Sequence, residues 1–379
     1  MFSRMLRPPK RSFFLFGPRG TGKSTWVQAA LPGAIRMDLL ASDTFIELQA
    51  APHLLERRIG PSHNGWVIID EVQKVPQLLD EVHRLIETRK LRFALTGSSA
   101  RKLRRGGVNL LAGRAATLRM HPLTANELGE DFDLGWSLEN GQLPVVQVDR
   151  DKATARTYLR SYVHTYLREE VQQEGLTRNL GAFTRFLEAA SLSQGAPLNM
   201  TAVARDCHVE RKVVEDYFQI LEDLMLAYRI PVFTKRAKRA AVAHPKFYFF
   251  DVGVYRALRP RGPLDSPEEV EGPALETLFL EEATACNDAL DLGYAIHYWR
   301  TRTGQEVDFV LYGERGLKAF EIKRSSRLRS GDLDSIELFL GDYPMAEAYV
   351  VYGGDRAYRE GKIRVMPAAD CLRDLSRLL

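Results

Sequence analysis

The chain has 379 residues, which is enough for two to four domains at roughly 100–200 residues each. A hydrophobic fraction of 45% and a charged fraction of 27% are typical of a soluble globular protein and exclude a disordered or fibrous chain. The formal net charge of +4 is too small to indicate a nucleic-acid partner by itself. Three widely separated cysteines predict neither a disulfide framework nor a Cys-x-x-Cys metal site, so a reducing cytoplasm is the simplest compartment. No apolar run has the length of a membrane span, and the amino-terminal segment does not have the pattern of a signal peptide.

Residues 12–130 alternate short apolar runs with helical stretches, which predicts a parallel sheet with crossover helices. Residues 131–150 are rich in turn residues and are predicted to form a connection, whereas 151–190 have helical periodicity. The proline-rich stretch 259–273 is the clearest linker. A helix at 274–286, three strands, a helix near 332–341 and a final strand are predicted after it. The fold class is therefore α/β, with four predicted parts: a core with a parallel sheet at 1–130, a connection and helical lid at 131–195, a winged helix at 196–260, and a linker with a second α/β domain at 261–379.

A phosphate-binding loop follows the first predicted strand and precedes a helix. The pattern GxxxxGK[ST] is complete in the residues Gly17, Pro18, Arg19, Gly20, Thr21, Gly22, Lys23, Ser24, with Thr25 next in the helix. Glycines let backbone N–H groups face an anion, and the helix amino terminus adds a favourable dipole. Lys23 is predicted to contact the β- and γ-phosphates of ATP, and Ser24 to ligate Mg²⁺.

Two acids follow a second apolar strand, WVIID. Asp70 is predicted to hold the Mg²⁺ through water, and Glu71 to act as the base that polarises the attacking water. The pair favours hydrolysis, because a protein that only holds a nucleotide needs no base. A third strand, RFALTGSS, brings Thr96 and Ser98 to the same edge, where either could contact the γ-phosphate or the water. Small polar residues are equally ordinary turn formers.

In this order, the motifs GPRGTGKS, VIIDEV, LTGSSARKL and LAGRAATLRMHPLTANEL resemble the AAA-type ATPases of bacteria and archaea (AAA 14 class) whose carboxyl-terminal part is a domain of unknown function, DUF4143. The resemblance covers nearly the whole chain. It implies an AAA-type P-loop core, the sensor role of Thr96 or Ser98, and a ring-shaped homo-oligomer, a hexamer above all. It also implies that Arg114 acts as an arginine finger on a neighbour's ATP. The motif order is similar to that of ring-forming branch-migration motors, although 151–190 contain no clear second sensor arginine.

A winged helix is predicted for the third part. Residues 199–226 have helix–turn–helix spacing, with Thr201 as the expected N-cap of the first helix. A stretch without acids follows and is suited to the phosphates of DNA; its cations are Lys235, Arg236, Lys238, Arg239 and Lys246. A second such stretch follows the sensor strand and carries Arg101, Lys102, Arg104 and Arg105. The alternative for both stretches is a solvated loop without a ligand.

The last part has a nuclease-like pattern. Glu276 lies on a predicted helix, Asp308 lies in the strand EVDFVLY, and Glu321 and Lys323 lie on one face of the strand KAFEIK. The pattern resembles the PD-(D/E)xK restriction-endonuclease fold, in which acids hold Mg²⁺ and the lysine supports the attacking water. The alternative is that these charges serve structure or the binding of branched DNA.

Three hypotheses follow for function. The first is an oligomeric ATPase that moves along or remodels DNA by translocation or branch migration, tolerant of DNA sequence and suited to branched forms. The second is an ATP-regulated nuclease that uses the carboxyl-terminal acids. The third is a nucleotide-dependent switch that binds a protein partner. The Asp70–Glu71 pair argues against the third hypothesis, because a switch needs no base.

Overall fold

The computed structural model describes residues 2–101, 103, 111–167, 170–171, 179–234, 244–260, 262–263, 265–329 and 331–379. The chain divides into two compact units. The first holds Ser3–Pro122 with Asp223–Met225, and the second holds Leu123–Glu222 with Leu226–Leu379. No helix in the described part of the chain is both long and apolar enough to cross a membrane.

A five-stranded parallel sheet forms the centre of the first unit. Its strand order is β2-β3-β4-β1-β5 and its strands are β1 (Phe13–Phe16), β2 (Ile35–Asp38), β3 (Trp66–Asp70), β4 (Arg92–Gly97) and β5 (Ala116–Arg119). The three central strands are almost entirely buried, as their apolar sequences predict. The predicted fold class is confirmed.

Helices cover the faces of this sheet. They span Lys23–Ala30, Ser42–Ala50, Leu54–Ile59 and Leu78–Arg89, with short 3₁₀ turns at Val72–Lys74 and Leu111–Gly113. The helix Leu78–Arg89 buries Leu78, Leu79, Val82 and Leu85 at three- and four-residue steps, which places one apolar face on the sheet. Because every strand runs in the same direction, the carboxyl ends of β1, β3 and β4 meet at one edge.

The second unit begins with helices. They span Ala125–Leu128, Leu134–Asn140, Pro144–Val148, Lys152–Ser161, Leu180–Ser191, Met200–Cys207 and Arg211–Asp223, with a 3₁₀ turn at Gly129–Asp131 and a π-helical turn at Tyr162–Tyr166. The prediction of a plain connection at 131–150 is wrong, because Asp133 caps one short helix and Pro144 begins another. The N-cap expected at Thr201 is also wrong: Asn199 is the N-cap, and its side chain accepts a hydrogen bond from the N–H of Ala202.

A two-stranded antiparallel sheet follows these helices. It pairs β6 (Ala227–Ile230) with β7 (Lys246–Phe249), and a helix spans Val252–Leu258. The linker predicted at 259–273 is only half correct, because a helix spans Pro267–Ala289. Ser266 and Glu269 form a capping box at its start, and Pro267 occupies a first-turn position that needs no N–H donor. Proline content alone therefore predicted a linker that is too long.

A six-stranded mixed sheet completes the second unit, in the order β12-β13-β11-β10-β9-β8. Its strands are β8 (Ala295–Arg300), β9 (Glu306–Gly313), β10 (Gly316–Lys323), β11 (Glu347–Tyr352), β12 (Tyr358–Glu360) and β13 (Ile363–Pro367). Helices span Asp334–Asp342 and Ala368–Leu378. The strands β8 to β11 and the first of these helices match the predicted pattern. The elements after residue 357 were not predicted, since β12 has only three residues, all exposed, and β13 has only five.

Candidate functional site

The loop after β1 is shaped around glycine. A side chain at Gly17 would place its Cβ 2.3 Å from the carbonyl oxygen of Met120, so the close passage of β5 requires glycine here. Gly20 and Gly22 have left-handed φ angles of 83° and 90°. The hydroxyl of Thr21 donates to the carbonyl of Pro18 at 2.8 Å and closes the loop on itself.

Lys23 begins the helix Lys23–Ala30 and folds back over the loop. Its ammonium donates to the carbonyl oxygens of Gly17 at 2.7 Å and Pro18 at 2.9 Å, and the residue is almost fully buried. No side chain caps this helix, and its first turn has no acid. The helix dipole and a lysine therefore converge on the loop without a competing carboxylate, which is the arrangement that binds phosphates.

Asp70 ends β3, as predicted, next to the strand β4. It is 3% exposed, and its Oδ1 accepts a short hydrogen bond from the Thr96 hydroxyl on β4. Its Oδ2 lies 3.1 Å from the Arg36 guanidinium on β2, a contact that the sequence motifs did not indicate. Carboxylate and hydroxyl oxygens are the ligands that Mg²⁺ prefers in proteins, so Asp70 and Ser24 fit that ion.

Glu71 follows Asp70 in a left-handed conformation with φ of 60°, which is uncommon for a residue with a side chain. The side-chain amide of Gln73 donates to its carboxylate and lies 3.3 Å from the Ser98 hydroxyl. Glycine at position 97 leaves room for Gln73 in this conformation, since a Cβ there would lie 2.4 Å from Oε1 of Gln73. Gln73 thus connects Glu71, the predicted base, to Ser98 just after β4. The sequence motifs did not indicate this role of Gln73.

Arg114 lies at the opposite edge of the sheet from the phosphate loop. It comes two residues before Ala116, which pairs with Phe13 at the start of β1, whereas the loop follows the end of β1. Its guanidinium forms an ion pair with Glu87, and both side chains are partly exposed. Arg114 is therefore remote from the nucleotide loop of its own chain, as a residue that acts on a neighbour must be.

The four nuclease-like residues of the second unit meet at one cavity. Glu276, Asp308, Glu321 and Lys323 line a space of about 560 Å³ together with Glu306. Asp308 Oδ2 accepts a hydrogen bond from the N–H of Ile322 at 2.9 Å, and Lys323 donates to Glu321 Oε1 at 2.7 Å. Below, the carboxylate cluster means Glu276, Glu306, Asp308 and Glu321.

A sixth charged residue of this site, Lys246, was predicted to lie with the basic wing, and that prediction is wrong. Lys246 is 2% exposed on β7, and its ammonium lies 3.1 Å from Asp308, 2.5 Å from Glu306 and 3.7 Å from Glu276. Burial lowers the pKa of Lys246, but the charge of Asp308 and its neighbours outweighs burial and raises it well above its usual value. Burial, and then the charge of Asp308, raise the pKa of Glu276 and Glu321.

Most of the DNA-binding candidates lie outside the described residues. These are Lys102, Arg104, Arg105, Lys235, Arg236, Lys238 and Arg239. Arg101 is described, and its guanidinium forms an ion pair with Asp223. A guanidinium engaged by a carboxylate is a weaker candidate for phosphate contact.

A basic cavity that the motifs did not indicate lies among the helices of the second unit. It has a volume of about 610 Å³, and its cationic lining residues are Lys152, Arg156, Arg160, Arg256 and Arg259. Lys152 pairs with Glu139 at 2.9 Å and Arg259 with Asp265 at 3.2 Å. Within the described ranges, Arg156 and Arg160 form no ion pair. In the sequence, Arg156 and Arg160 are recognisable as an i, i+4 arginine pair. Only the fold, however, brings them near Arg256 and Arg259.

The parallel sheet, the glycine loop after β1 and the acids after β3 define a P-loop ATPase type of core. Residues 9–129 match the family model described as an AAA domain, and 271–371 match a domain of unknown function, DUF4143. Between them, 139–265 match another domain of unknown function, DUF8612. The resemblance to an AAA domain followed by DUF4143 is thus confirmed.

Relatives and solved structures add distant likenesses. The chain is 25% identical to the uncharacterized proteins Mb2031c of Mycobacterium bovis and Rv2008c of Mycobacterium tuberculosis, over 91% of this chain and 77% of each of those. A solved structure of the Aeropyrum pernix ORC1 protein in complex with DNA is 14% identical, covers 66% of this chain and 87% of that one, and has a TM-score of 0.30.

Proposed function

We propose that this chain hydrolyses ATP with Mg²⁺ and couples the turnover to movement along DNA or remodelling of DNA. The observation that carries the ATPase half is the convergence of Lys23, Asp70 and Glu71 at the carboxyl edge of one sheet. Strand order explains the convergence: β4 lies between β1 and β3, so the phosphate loop and the acid pair flank the sensor strand. Such preorganised charge is the principal contribution a protein makes to phosphoryl transfer.

Each residue of this edge has a separate task. Lys23 and the helix amino terminus bind the β- and γ-phosphates, and the ammonium exchanges the carbonyls of Gly17 and Pro18 for phosphate oxygens. Ser24 and Asp70 would hold Mg²⁺, and the bound ion would supply positive charge that offsets the charge of the phosphates. Glu71 accepts a proton from the attacking water, and Thr96 orients Asp70.

The oligomeric part of the proposal rests on Arg114. Its position at the far edge of the sheet prevents it from completing its own site, so we propose that it completes a neighbour's site in a homo-oligomeric ring, a hexamer by family resemblance. A guanidinium from a second chain would offset the charge that develops on the transferred phosphoryl group.

The DNA part of the proposal is supported by positive charge in both units. The basic cavity offers arginines to phosphate oxygens without reading base sequence. The predicted contacts at Arg101, Lys102, Arg104 and Arg105, and at Lys235, Arg236, Lys238 and Arg239, add to it. We therefore propose sequence-tolerant DNA, including branched forms, as the partner, and the cytoplasm as the compartment.

An ATP-regulated nuclease is the second candidate. The observation that favours it is the meeting of Glu276, Asp308, Glu321 and Lys323 at one cavity. Cleavage of this type uses a divalent metal, and no group of three acidic, histidine or cysteine side chains among the described residues has the geometry to hold one. The residues present therefore do not fit the metal that such cleavage requires. A nucleotide-dependent protein-binding switch is the third candidate.

One assay separates the three candidates. ATP turnover is measured with and without single-stranded, duplex and branched DNA, and the DNA is then run on a denaturing gel. A DNA motor shows turnover that DNA stimulates and leaves the DNA intact. Nicked DNA that depends on ATP and Asp308 supports the nuclease. Turnover that no DNA changes, together with no DNA binding at low salt, contradicts both and leaves the partner switch.

A further inference from the structure

The carboxylate cluster of the second unit already contains a cation. The Lys246 ammonium contacts oxygens of Asp308, Glu306 and Glu276, which come from two different elements, β9 and the helix Pro267–Ala289. Lys246 itself comes from β7, and its side chain is buried among them. Its ammonium also lies 5.6 Å from the ring centre of Tyr298, within the range of a cation–π contact.

A divalent metal does not fit this arrangement. Mg²⁺ requires oxygens at about 2.0–2.1 Å in octahedral geometry, and an ion shared by Asp308 Oδ1 and Glu306 Oε1 would compete with the ammonium for both oxygens and lie close to its positive charge. Two further oxygens are engaged: Glu276 Oε2 accepts from the Tyr248 hydroxyl at 2.6 Å, and Asp308 Oδ2 accepts from a backbone N–H.

One buried oxygen of the carboxylate cluster nevertheless lacks a hydrogen-bond partner. Oε2 of Glu321 is buried without a hydrogen-bond partner, while Oε1 is bound by Lys323. A buried carboxylate oxygen without a partner costs free energy, and a cation beside it would remove that cost. The cluster therefore retains the donor set of a metal site, although the ammonium occupies its centre.

We propose that Lys246 is the resident cation of the carboxylate cluster and that its ammonium excludes divalent metal ions from it. Without the ammonium, Glu276 and Asp308 would lose their ion-pair partner and Glu306 would keep only Arg300, at 3.4 Å, so a divalent metal would be the natural replacement. The cluster would then be a hard-cation site of carboxylate oxygens that opens to the 560 Å³ cavity. This inference rests on the second unit alone and on no part of the ATPase proposal.

The test is Mn²⁺ binding to the full chain, measured without nucleotide by electron paramagnetic resonance and calorimetry. The wild type is expected to show no Mn²⁺ site that Asp308→Asn removes. Lys246→Met is expected to gain one site at least about ten-fold tighter than any in the wild type, since removal of the buried charge leaves the acids to the metal. The double variant Lys246→Met/Asp308→Asn should lose that site.

Lys318→Met is the matched control. Lys318 is also a buried lysine beside an acid, Glu347, at 2.9 Å, but it faces one carboxylate and should gain no Mn²⁺ site. Lys246→Gln replaces Lys246→Met if circular dichroism shows that the latter does not fold. The proposal is overturned if the wild type binds a Mn²⁺ ion that Asp308→Asn abolishes, or if a folded Lys246 variant binds none.

Discussion

The side-chain amide of Gln73 donates a hydrogen bond to Oε2 of Glu71 at 2.5 Å. Gln73 lies in the 3₁₀ turn that follows Glu71, and its amide nitrogen also reaches the Ser98 hydroxyl. The carboxylate of the proposed base is therefore held from the side by a neutral group that is linked to the sensor strand. A base held in this way keeps its orientation even though its backbone has an unfavourable left-handed conformation.

Gln73 is consequently expected to be a positioning residue for hydrolysis. Gln73→Ala should lower kcat by about ten-fold to a hundred-fold, the value of one hydrogen bond to a charged group, with little change in KM. Glu71→Gln should lower kcat by about two to four orders of magnitude and leave ATP binding intact. Both effects are measured by steady-state turnover and by binding of a fluorescent ATP analogue.

Gln77→Ala serves as the control for Gln73, because Gln77 is exposed and lies just outside the turn. It should match the wild type in kcat and KM. Unchanged turnover in Glu71→Gln would contradict the assignment of the base. An equal loss in Gln73→Ala and Gln77→Ala would reduce Gln73 to a structural role.

The position of Arg114 predicts catalysis between chains. Arg114→Ala should lose most ATP hydrolysis while its nucleotide affinity stays near that of the wild type, because the residue is remote from its own loop. Mixing it with Lys23→Ala should restore part of the turnover at sites that combine an intact loop with an intact arginine. Turnover is followed across mixing ratios at fixed total protein.

The ion-pair partner of Arg114 provides a control. Glu87→Gln removes the carboxylate that holds the guanidinium in the isolated chain and should keep hydrolysis. A monomer that retains full turnover at every concentration, or an Arg114→Ala variant that behaves like the wild type, would show that no trans contact exists.

The first unit could largely be predicted from the sequence, since local patterns determine it. Apolar runs bounded by glycine and acids predicted β1, β3 and β4 but not β2, and the loop motif predicted the positions of Lys23 and Ser24. Arg36 was not predictable, because its contact with Asp70 spans 34 residues and exists only because β2 pairs with β3. No local pattern carries information on which strands are neighbours.

Lys246 shows the same limit in the second unit. Lys246 begins the apolar run KFYFF, but its charge suggested exposure to solvent and contact with DNA. The contact with Asp308 spans 62 residues and depends on where β7 lies within the fold. Among the nuclease-like acids, Glu276, Asp308 and Glu321 were predicted from spacing, whereas Glu306 had no motif to mark it. Buried lysines are rare, so a lysine is normally predicted to be exposed to solvent. The fold contradicts that prediction for Lys246.

A buried acid in the second unit predicts a dependence of stability on pH. Oε1 of Glu282 accepts hydrogen bonds from the Ala125 N–H at 2.5 Å and from Gln142 at 3.1 Å, whereas Oε2 is buried without a partner. Burial raises its pKa from 4.5 to about 8, despite those bonds, and the charge of Glu127 adds to the effect. The folded chain therefore prefers the protonated form. The stability from this preference is complete below about pH 4.5 and is lost as pH rises through about 8.

Glu282→Gln should remove that dependence, because the amide stays neutral and keeps the accepting oxygen. The thermal unfolding midpoint of the variant, relative to the wild type, should be higher at pH 8.5 than at pH 5 by several degrees, which corresponds to a few kcal/mol. Glu188→Gln changes an exposed acid and should give a difference that does not vary with pH. A constant difference between Glu282→Gln and the wild type would exclude the raised pKa.

The last prediction concerns DNA. A protein that neutralises several phosphates releases counterions, so its affinity should fall steeply and linearly on a log–log plot against salt. Replacing Lys235, Arg236, Lys238 and Arg239 by Glu should weaken binding to single-stranded, duplex and branched DNA alike and make that slope shallower. Arg156→Glu/Arg160→Glu should act in the same direction, with a smaller change in slope because two cations are lost instead of four.

Charge alone must be separated from position in this experiment. A control replaces four scattered exposed cations by Glu, namely Lys90, Arg315, Arg359 and Lys362. It changes the net charge by the same amount as the four-residue variant and should keep most of the affinity and the slope. Fluorescence anisotropy over a salt series measures both quantities, and stimulation of ATP turnover by DNA should fall with affinity. Equal losses in the control and the test variants would mean that net charge attracts the DNA and that neither proposed surface binds it. A DNA motor would then have to contact DNA through other residues.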